Sequence, residues 1–338
     1  MECGIIGLPN IGKSLFFNLL SNNNVLTKNY PFCTIYPNIS NIDIFDKKLI
    51  KISKILKINK YKFNNIKLID IAGIIKNSYK GKGLGNMFLS YIRNSKILIN
   101  ILRLFYNNKI INVNKNIIDP IYEKKIIFNE LLNKDIEILN KYIYKNKIYN
   151  KKINKIFFYF KKKNINDIKK ICNDENNIIK KFNFLSLKPI IYICNINENT
   201  KKDEINLIKN YFYEKKEKNY FLNIKKIYKN KNLKKNKLII NNLTKKIFKK
   251  LNFNTFYTID KKKKIICSWK IKKNTYIYKA SNIIHSTFSK RFIKAEVIHY
   301  NDLIKNKIYI KNLIKIKGKK YIIQNRDILY FILKKNIF

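Results

Sequence analysis

Apolar and polar positions along the chain fall into two regimes. In the N-terminal part, short apolar-rich runs alternate with stretches of helical spacing, the pattern of strands buried on both faces between helices. Cys3-Gly4-Ile5-Ile6, Ile66-Lys67-Leu68-Ile69-Asp70, Ile97 to Phe105 and Pro189-Ile190-Ile191-Tyr192-Ile193-Cys194 read as strands. Leu15 to Leu20 reads as the first turns of a helix, and another apolar helix starts at Met87. From Tyr122 to Lys181 there is no glycine or proline. Phe128, Leu131, Leu132, Leu139 and Ile143 form one helical stripe there, and Ile153, Ile156, Phe157 and Phe160 begin a second. Two such stripes predict a helical hairpin, either a solvated spacer or an arm that binds a partner. Leu238 to Leu251 predicts a Lys-rich helix.

Beyond Asn252 the periodicity changes to that of strands: Thr255 to Thr258, Ile265 to Trp269, Ala295 to His299 and Tyr321 to Gln324, with a short helix around Ser281 to Phe288. Strand–strand–helix–strand in so short a span predicts a small α+β module. The expected division is a nucleotide-binding α/β domain over 1–121 and 183–250, a helical insertion over 122–182, and the α+β module over 251–338. Trp269 fits either the core of that module or an RNA-stacking surface. His285 fits a structural role on an amphipathic helix.

Chemistry enters at the end of the first strand. Gly7-Leu8-Pro9-Asn10-Ile11-Gly12-Lys13-Ser14 matches G-x-x-x-x-G-K-[ST] at every fixed position and lies between a strand and a helix, the setting a phosphate cradle needs. Loop N–H groups and the helix N-terminus form a positive pole for phosphate. Lys13 adds a full charge, and the Ser14 hydroxyl suits Mg2+. Thr34 lies between Pro31 and Pro37, where its hydroxyl could reach the same ion in a first switch segment. Asp70-Ile71-Ala72-Gly73 gives D-x-x-G after a strand, so Asp70 is expected to hold Mg2+ through water and the Gly73 N–H to meet the γ-phosphate. Ile74 follows, where Ras-like proteins carry the Gln that orients water, and an apolar side chain cannot do this. Gly81 to Asn86 reads as a second switch.

The fourth N-terminal strand runs into Asn195-Ile196-Asn197-Glu198. A GTPase ends this strand in N-K-x-D, whose Asp accepts two N–H bonds from guanine. Here Ile and Glu replace Lys and Asp. Because a pocket built on such bonds discriminates by roughly 10⁴–10⁵, losing the geometry removes strong guanine preference. No second base-contacting loop is legible among Asn219 to Asn236.

Composition narrows the rest. The net charge of +52 comes almost wholly from Lys spread along a chain rich in Asn, Ile, Tyr and Phe. An AT-biased coding sequence produces this without a partner, and contact with RNA phosphates is the competing explanation. Against that background, seven of eight glycines lie in the first 85 residues, six of them in phosphate or switch motifs. Five scattered cysteines without C-x-x-C and two histidines give no zinc pattern, so reduced thiols in a cytoplasmic protein are expected. No segment approaches the ~18–20 apolar residues of a membrane span, and a phosphate loop at residue 7 leaves no room for a cleaved leader.

Together these residues resemble the YchF/Obg-like ATPase family over nearly the whole chain. The most specific are Cys3 to Asn10, Pro31-Phe32-Cys33-Thr34-Ile35, Asp70 to Gly73, Gly83 to Asn86 and Leu185-Ser186-Leu187-Lys188-Pro189. Ile283 to Phe288 and Phe292 to Ala295 resemble that family's TGS domain. The resemblance implies a P-loop ATPase with an inserted helical arm, somewhat shortened here, and a β-grasp (TGS) C-terminal domain. It also implies ribosome or rRNA association, ATP preferred over GTP, Mg2+, and K+ as an activator through Asn10; a monomer is expected. Carried over, Asn10, Ile11, Gly12, Lys13, Ser14 and Leu15 wrap the phosphates, Ser14 and Thr34 ligate Mg2+, and Asn195 with Ile196 contacts adenine. Asn112 stands where the family usually has a histidine that helps position the attacking water. Asn can donate a hydrogen bond but cannot take a proton, so a slow ATPase is expected. The alternatives are an ATP-holding ribosome- or RNA-binding module with negligible turnover, and an Obg-type GTPase.

Overall fold

The apolar run behind the phosphate loop, β1 (Glu2–Ile6), lies between two parallel neighbours and feeds α1 (Lys13–Ser21). The computed structural model describes residues 2–21, 37–71, 84–106, 118–146, 151–163, 167–168, 182–230, 233–250, 253–306 and 309–334. After α1 come β2 (Asn38–Asp43), α2 (Lys47–Ile55), β3 (Lys60–Lys62), β4 (Asn65–Asp70), α3 (Leu84–Asn94) and β5 (Ile97–Leu104). Two long helical segments, α4 (Pro120–Asn146) and α5 (Lys151–Lys161), precede β6 (Ile190–Ile196), α6 (Lys202–Glu214), β7 (Asn219–Leu222), α7 (Ile224–Lys229) and α8 (Leu233–Lys250). The remainder is β8 (Phe253–Asp260), β9 (Ile265–Lys272), α9 (Ile277–Ile284), α10 (Phe288–Arg291), β10 (Phe292–His299), α11 (Tyr300–Lys305), a 3₁₀ turn (Ile310–Leu313), β11 (Lys315–Lys317) and β12 (Asp327–Leu333).

The chain divides into two units, Met1–Ile42 with Ile66–Ile240, and Asp43–Asn65 with Asn241–Phe338. In the first, strand order is β2-β4-β1-β5-β6-β7, and β4, β1, β5, β6 and β7 run parallel. All eight residues of β5 are buried, as a strand covered on both faces requires. The order reverses at β1, with β4 on one side and β5 on the other. That is the topological switch point, where ligands of open α/β sheets bind beyond the strand C-termini.

In the same unit the stripes of α4 and α5 face each other. Leu132, Leu139, Ile153, Ile156 and Phe160 share one core with Phe182 and Phe184. Each fully buried side chain of this kind is worth about 1.5–3 kcal/mol, against about 0–1 kcal/mol for an exposed pair such as Lys141–Glu137. Apolar contact therefore holds the two helices together. From α4, the buried Asp135 accepts bonds from Leu185 N (2.9 Å), Ser186 N (2.8 Å) and Ser186 Oγ (2.7 Å). The segment so fixed presents Lys188, which donates to the carbonyls of Arg93 and Ser95 at 2.8 Å each, at the C-terminal end of α3. A cation there meets the negative end of the helix dipole.

The second unit has a sheet of order β11-β10-β12-β8-β9-β3, antiparallel except at β12/β8 and β3/β9. One face packs α9 through Ile277 and Ala280 against Phe256, Ala295 and Leu329. The other packs Leu49 and Ile52 of α2 against Tyr257, Ile266 and Ile328. Residues 43–65 thus cluster with the C-terminal unit, whereas the sequence pattern had grouped them with the nucleotide domain. Asp46 caps α2 at Lys48 N (2.9 Å) and accepts from the Tyr257 hydroxyl (2.9 Å), and Asn64 N donates to Ser268 Oγ (2.8 Å). Tyr321 to Gln324 is not a strand. Buried Asp327 gathers the Tyr321 hydroxyl and Gln324 N, forming a turn, and the strand begins at Asp327. Trp269 is half-buried against the α9 face, with its indole N–H on Thr258 Oγ1 (2.8 Å). His285 is exposed and ends α9.

Candidate functional site

The loop between β1 and α1 is shaped by close approach. Gly7 passes the Ile101 carbonyl so tightly that a Cβ there would stand 2.8 Å from its oxygen. Gly12 has φ of 100°, and a Cβ on it would meet Asn195 Nδ2 at 2.7 Å. Asn10 takes the left-handed conformation (φ 62°), which Asn tolerates better than most residues. Alternating handedness of this kind turns backbone N–H groups toward one side, the geometry of an anion nest. Ile11 is buried, and Leu15 lies in the first turn of α1, half-buried.

Register sets Asp70 beside the loop. Ile5 pairs with Asp70 across β1/β4, so the carboxylate emerges level with the end of β1. Ser14 Oγ donates to Asp70 Oδ2 at 2.7 Å. Asp70 is 1% exposed, and its Oδ1 has no hydrogen-bond partner. Burial pushes its pKa up, opposed by the Ser14 hydroxyl, the nearby Lys13 charge and the Asn38 side chain. A buried carboxylate oxygen without a donor, beside a serine hydroxyl, is the oxygen set that a hard cation such as Mg2+ takes. The residues present therefore fit the ion.

Lys13 is buried and donates to the Leu8 carbonyl at 2.7 Å. Burial lowers its pKa to about 8, partly offset by the carboxylates of Asp70 and Glu123. Glu123, in the first turn of α4, is a neighbour that sequence reasoning missed. It accepts the Arg103 N–H at 2.8 Å, and burial raises its pKa to about 7.

The base side is built by β6, β7 and α7. Asn195 Nδ2 donates to the Ile11 carbonyl at 3.0 Å, and Asn195 Oδ1 accepts from Ile224 N at 3.3 Å. One amide thus fastens the phosphate loop to the start of α7, which packs against α1. Ile196 is half-buried at the strand end. The segment Asn223–Lys226 stands where no base-contacting loop was legible. Its link to Asn195 is a backbone N–H, which leaves no residue-type signature. The structure therefore brings together Asn10, Ile11, Gly12, Lys13, Ser14, Leu15, Asp70, Asn195 and Ile196 around the switch point. Thr34, Gly73, Ile74 and Asn112 lie outside the described residues.

A parallel sheet that runs into this loop at its switch point, with a buried Asp paired to the loop Ser, defines a P-loop nucleotide-binding protein of the GTPase-like type. Residues 2–141 match a family model described as a 50S ribosome-binding GTPase. Residues 253–334 match one named YchF-GTPase_C, described as a protein of unknown function (DUF933). The chain belongs to the YchF family. It is 35% identical to "Ribosome-binding ATPase YchF" of Buchnera aphidicola subsp. Baizongia pistaciae, over 97% of this chain and 98% of the relative. It is 33% identical to the protein of the same name in Mycoplasma genitalium, over 98% of each. Among solved structures, the Schizosaccharomyces pombe YchF GTPase superposes with a TM-score of 0.77 at 26% identity, covering 98% of this chain and 97% of that one. A GTP binding protein from Pyrococcus horikoshii OT3 shares the fold, with a TM-score of 0.57 at 15% identity over 99% of this chain and 100% of that one. Among the described residues, no helix is long and apolar enough to cross a membrane.

Proposed function

We propose that the chain is a Mg2+-dependent ATPase that turns over slowly and acts as a nucleotide-gated switch on the ribosome. The observation that carries this reading is the Ser14–Asp70 pair with its unpartnered carboxylate oxygen, level with the phosphate loop. The name shared by the full-length relatives, ribosome-binding ATPase, supports the substrate and the partner.

In this reading the amides from Asn10 to Leu15 wrap the phosphates. Lys13 leaves the Leu8 carbonyl for the β- and γ-phosphates. Ser14, Thr34 and Asp70 hold Mg2+, which when bound offsets charge on the phosphate oxygens. The Gly73 N–H senses the γ-phosphate, and Asn195 with Ile196 receives adenine. K+ acts as an activator beside Asn10. The protein works as a cytoplasmic monomer, with 122–182 as its helical arm and 251–338 as a TGS-like module. Turnover is slow because neither Ile74 nor Asn112 can activate water.

A second reading, ATP held with scarcely any turnover, is favoured by the same two residues. Single-turnover phosphate release from Mg·ATP, with and without K+, separates the two. Release above background that rises with K+ is expected. No release above background removes the enzyme reading. Asn112→His is expected to raise the rate by about tenfold or more, since positioned acid–base groups contribute about 10²–10⁴. An unchanged rate would remove Asn112 as the cause of slowness.

A further inference from the structure

Glu198 occupies the register at which a GTPase carries the Asp that accepts two guanine N–H bonds. One oxygen of its carboxylate is already engaged. Lys226 Nζ, in α7, donates to Glu198 Oε1 at 2.8 Å, and this bond and charge hold the carboxyl below its usual pKa range. The backbone at Lys226 is fixed from its own side, because Asn223 caps α7 by accepting the Lys226 backbone N–H at 2.9 Å. The next residue, Ile224, binds Asn195, which binds the phosphate loop. The ion pair thus spans the two segments that flank Asn195, one at the end of β6 and one at the start of α7. Asn197 cannot stand in for Glu198. Its side chain is committed to Asn199 N, Thr200 Oγ1 and the Tyr106 carbonyl.

The chemistry of the two bases makes this pairing matter. Guanine presents N–H donors at N1 and N2 and needs an acceptor facing them. Adenine has an acceptor at N1 and asks for a donor there. A free carboxylate would suit guanine, whereas pairing with an ammonium group offsets its charge, ties one oxygen to Lys226 and adds N–H donors to the rim.

We infer that Lys226 determines base specificity, by holding the Glu198 carboxylate away from guanine and presenting an ammonium donor at the rim of the base site. This rests on the nucleotide site described above and on the reading that ATP is its ligand. Both side chains are well exposed, at 68% and 71%, so breaking the pair alters the rim with little effect on folding.

The test is displacement of a fluorescent ATP analogue by ATP and by GTP, in Mg2+, on the full chain. Lys226→Met is expected to move the ATP-over-GTP affinity ratio about tenfold toward GTP, the scale of one rim interaction rather than of a complete pocket. Adding Glu198→Gln to that variant should return the ratio toward wild type, because the freed carboxylate is gone. A ratio within twofold of wild type in Lys226→Met overturns the inference, including the case where both affinities fall by the same factor. The wild-type ratio tests the ATP reading separately. A wild type that prefers GTP removes that reading, while a shift on Lys226→Met would still assign the rim to Lys226.

Discussion

Lys13 carries most of the charge in the phosphate cradle, and its environment sets when that charge is present. Burial brings its pKa down to about 8, so the proton leaves near that pH when the loop holds no anion. A polyphosphate beside the ammonium stabilises the charged form and raises the pKa again. Binding is therefore linked to proton uptake above about pH 8 and weakens as pH rises beyond it, by up to about tenfold per pH unit, whereas below pH 8 Lys13 adds no such slope. ATP titrations from pH 7 to 9.5 check this, and Lys13→Arg should remove the Lys13 contribution because guanidinium stays charged. A flat wild-type profile would mean either that Lys13 keeps its charge across this range or that it does not meet the phosphates. The cradle itself was legible because Gly7, Gly12, Lys13 and Ser14 are each dictated by residue type. Glu123 was not legible, since a single Glu in a Lys-rich helix has no pattern that points to a strand 20 residues earlier.

Among the elements, the segment 183–189 ties α3 to α4. Asp135 satisfies three donors at once, and Lys188 reaches two carbonyls at the end of α3. Asp135→Ala leaves buried donors without partners, each costing about 1–3 kcal/mol, so a loss of about 3 kcal/mol is expected in urea unfolding. A loss below about 1 kcal/mol would show that water replaces the carboxylate freely. Four strands of the first unit, β1, β4, β5 and β6, were readable as apolar-rich runs, and the stripes of α4 and α5 as helical periodicity, whereas β2, with its Asn and Asp residues, and the short β7 carry no such run. The second unit was read less well. Tyr321 to Gln324 has the apolar content of a strand, but Asp327 draws its polar groups into a turn. The pairing of β3 with β9 joins residues some 200 positions apart, as the Asn64–Ser268 bond does, and local pattern carries no trace of it.

At the scale of the whole molecule, the first unit supplies a nucleotide site at its switch point, and the second buries apolar residues on both faces of its sheet. The charge of +52 is spread along the entire chain, so it favours polyanionic partners in general without selecting one. In the proposed function the state of the nucleotide site is what a ribosome-bound switch would report. That makes Mg·ATP binding the claim on which the rest depends. Calorimetric titration of the full chain with ATP, in Mg2+ and again in EDTA, with GTP as comparison, tests it most directly. The prediction is saturable ATP binding that is tighter than GTP binding and weakens about tenfold or more in EDTA, as expected where Ser14 and Asp70 hold the cation. Absence of ATP binding, equal affinity in EDTA, or tighter binding of GTP would contradict it.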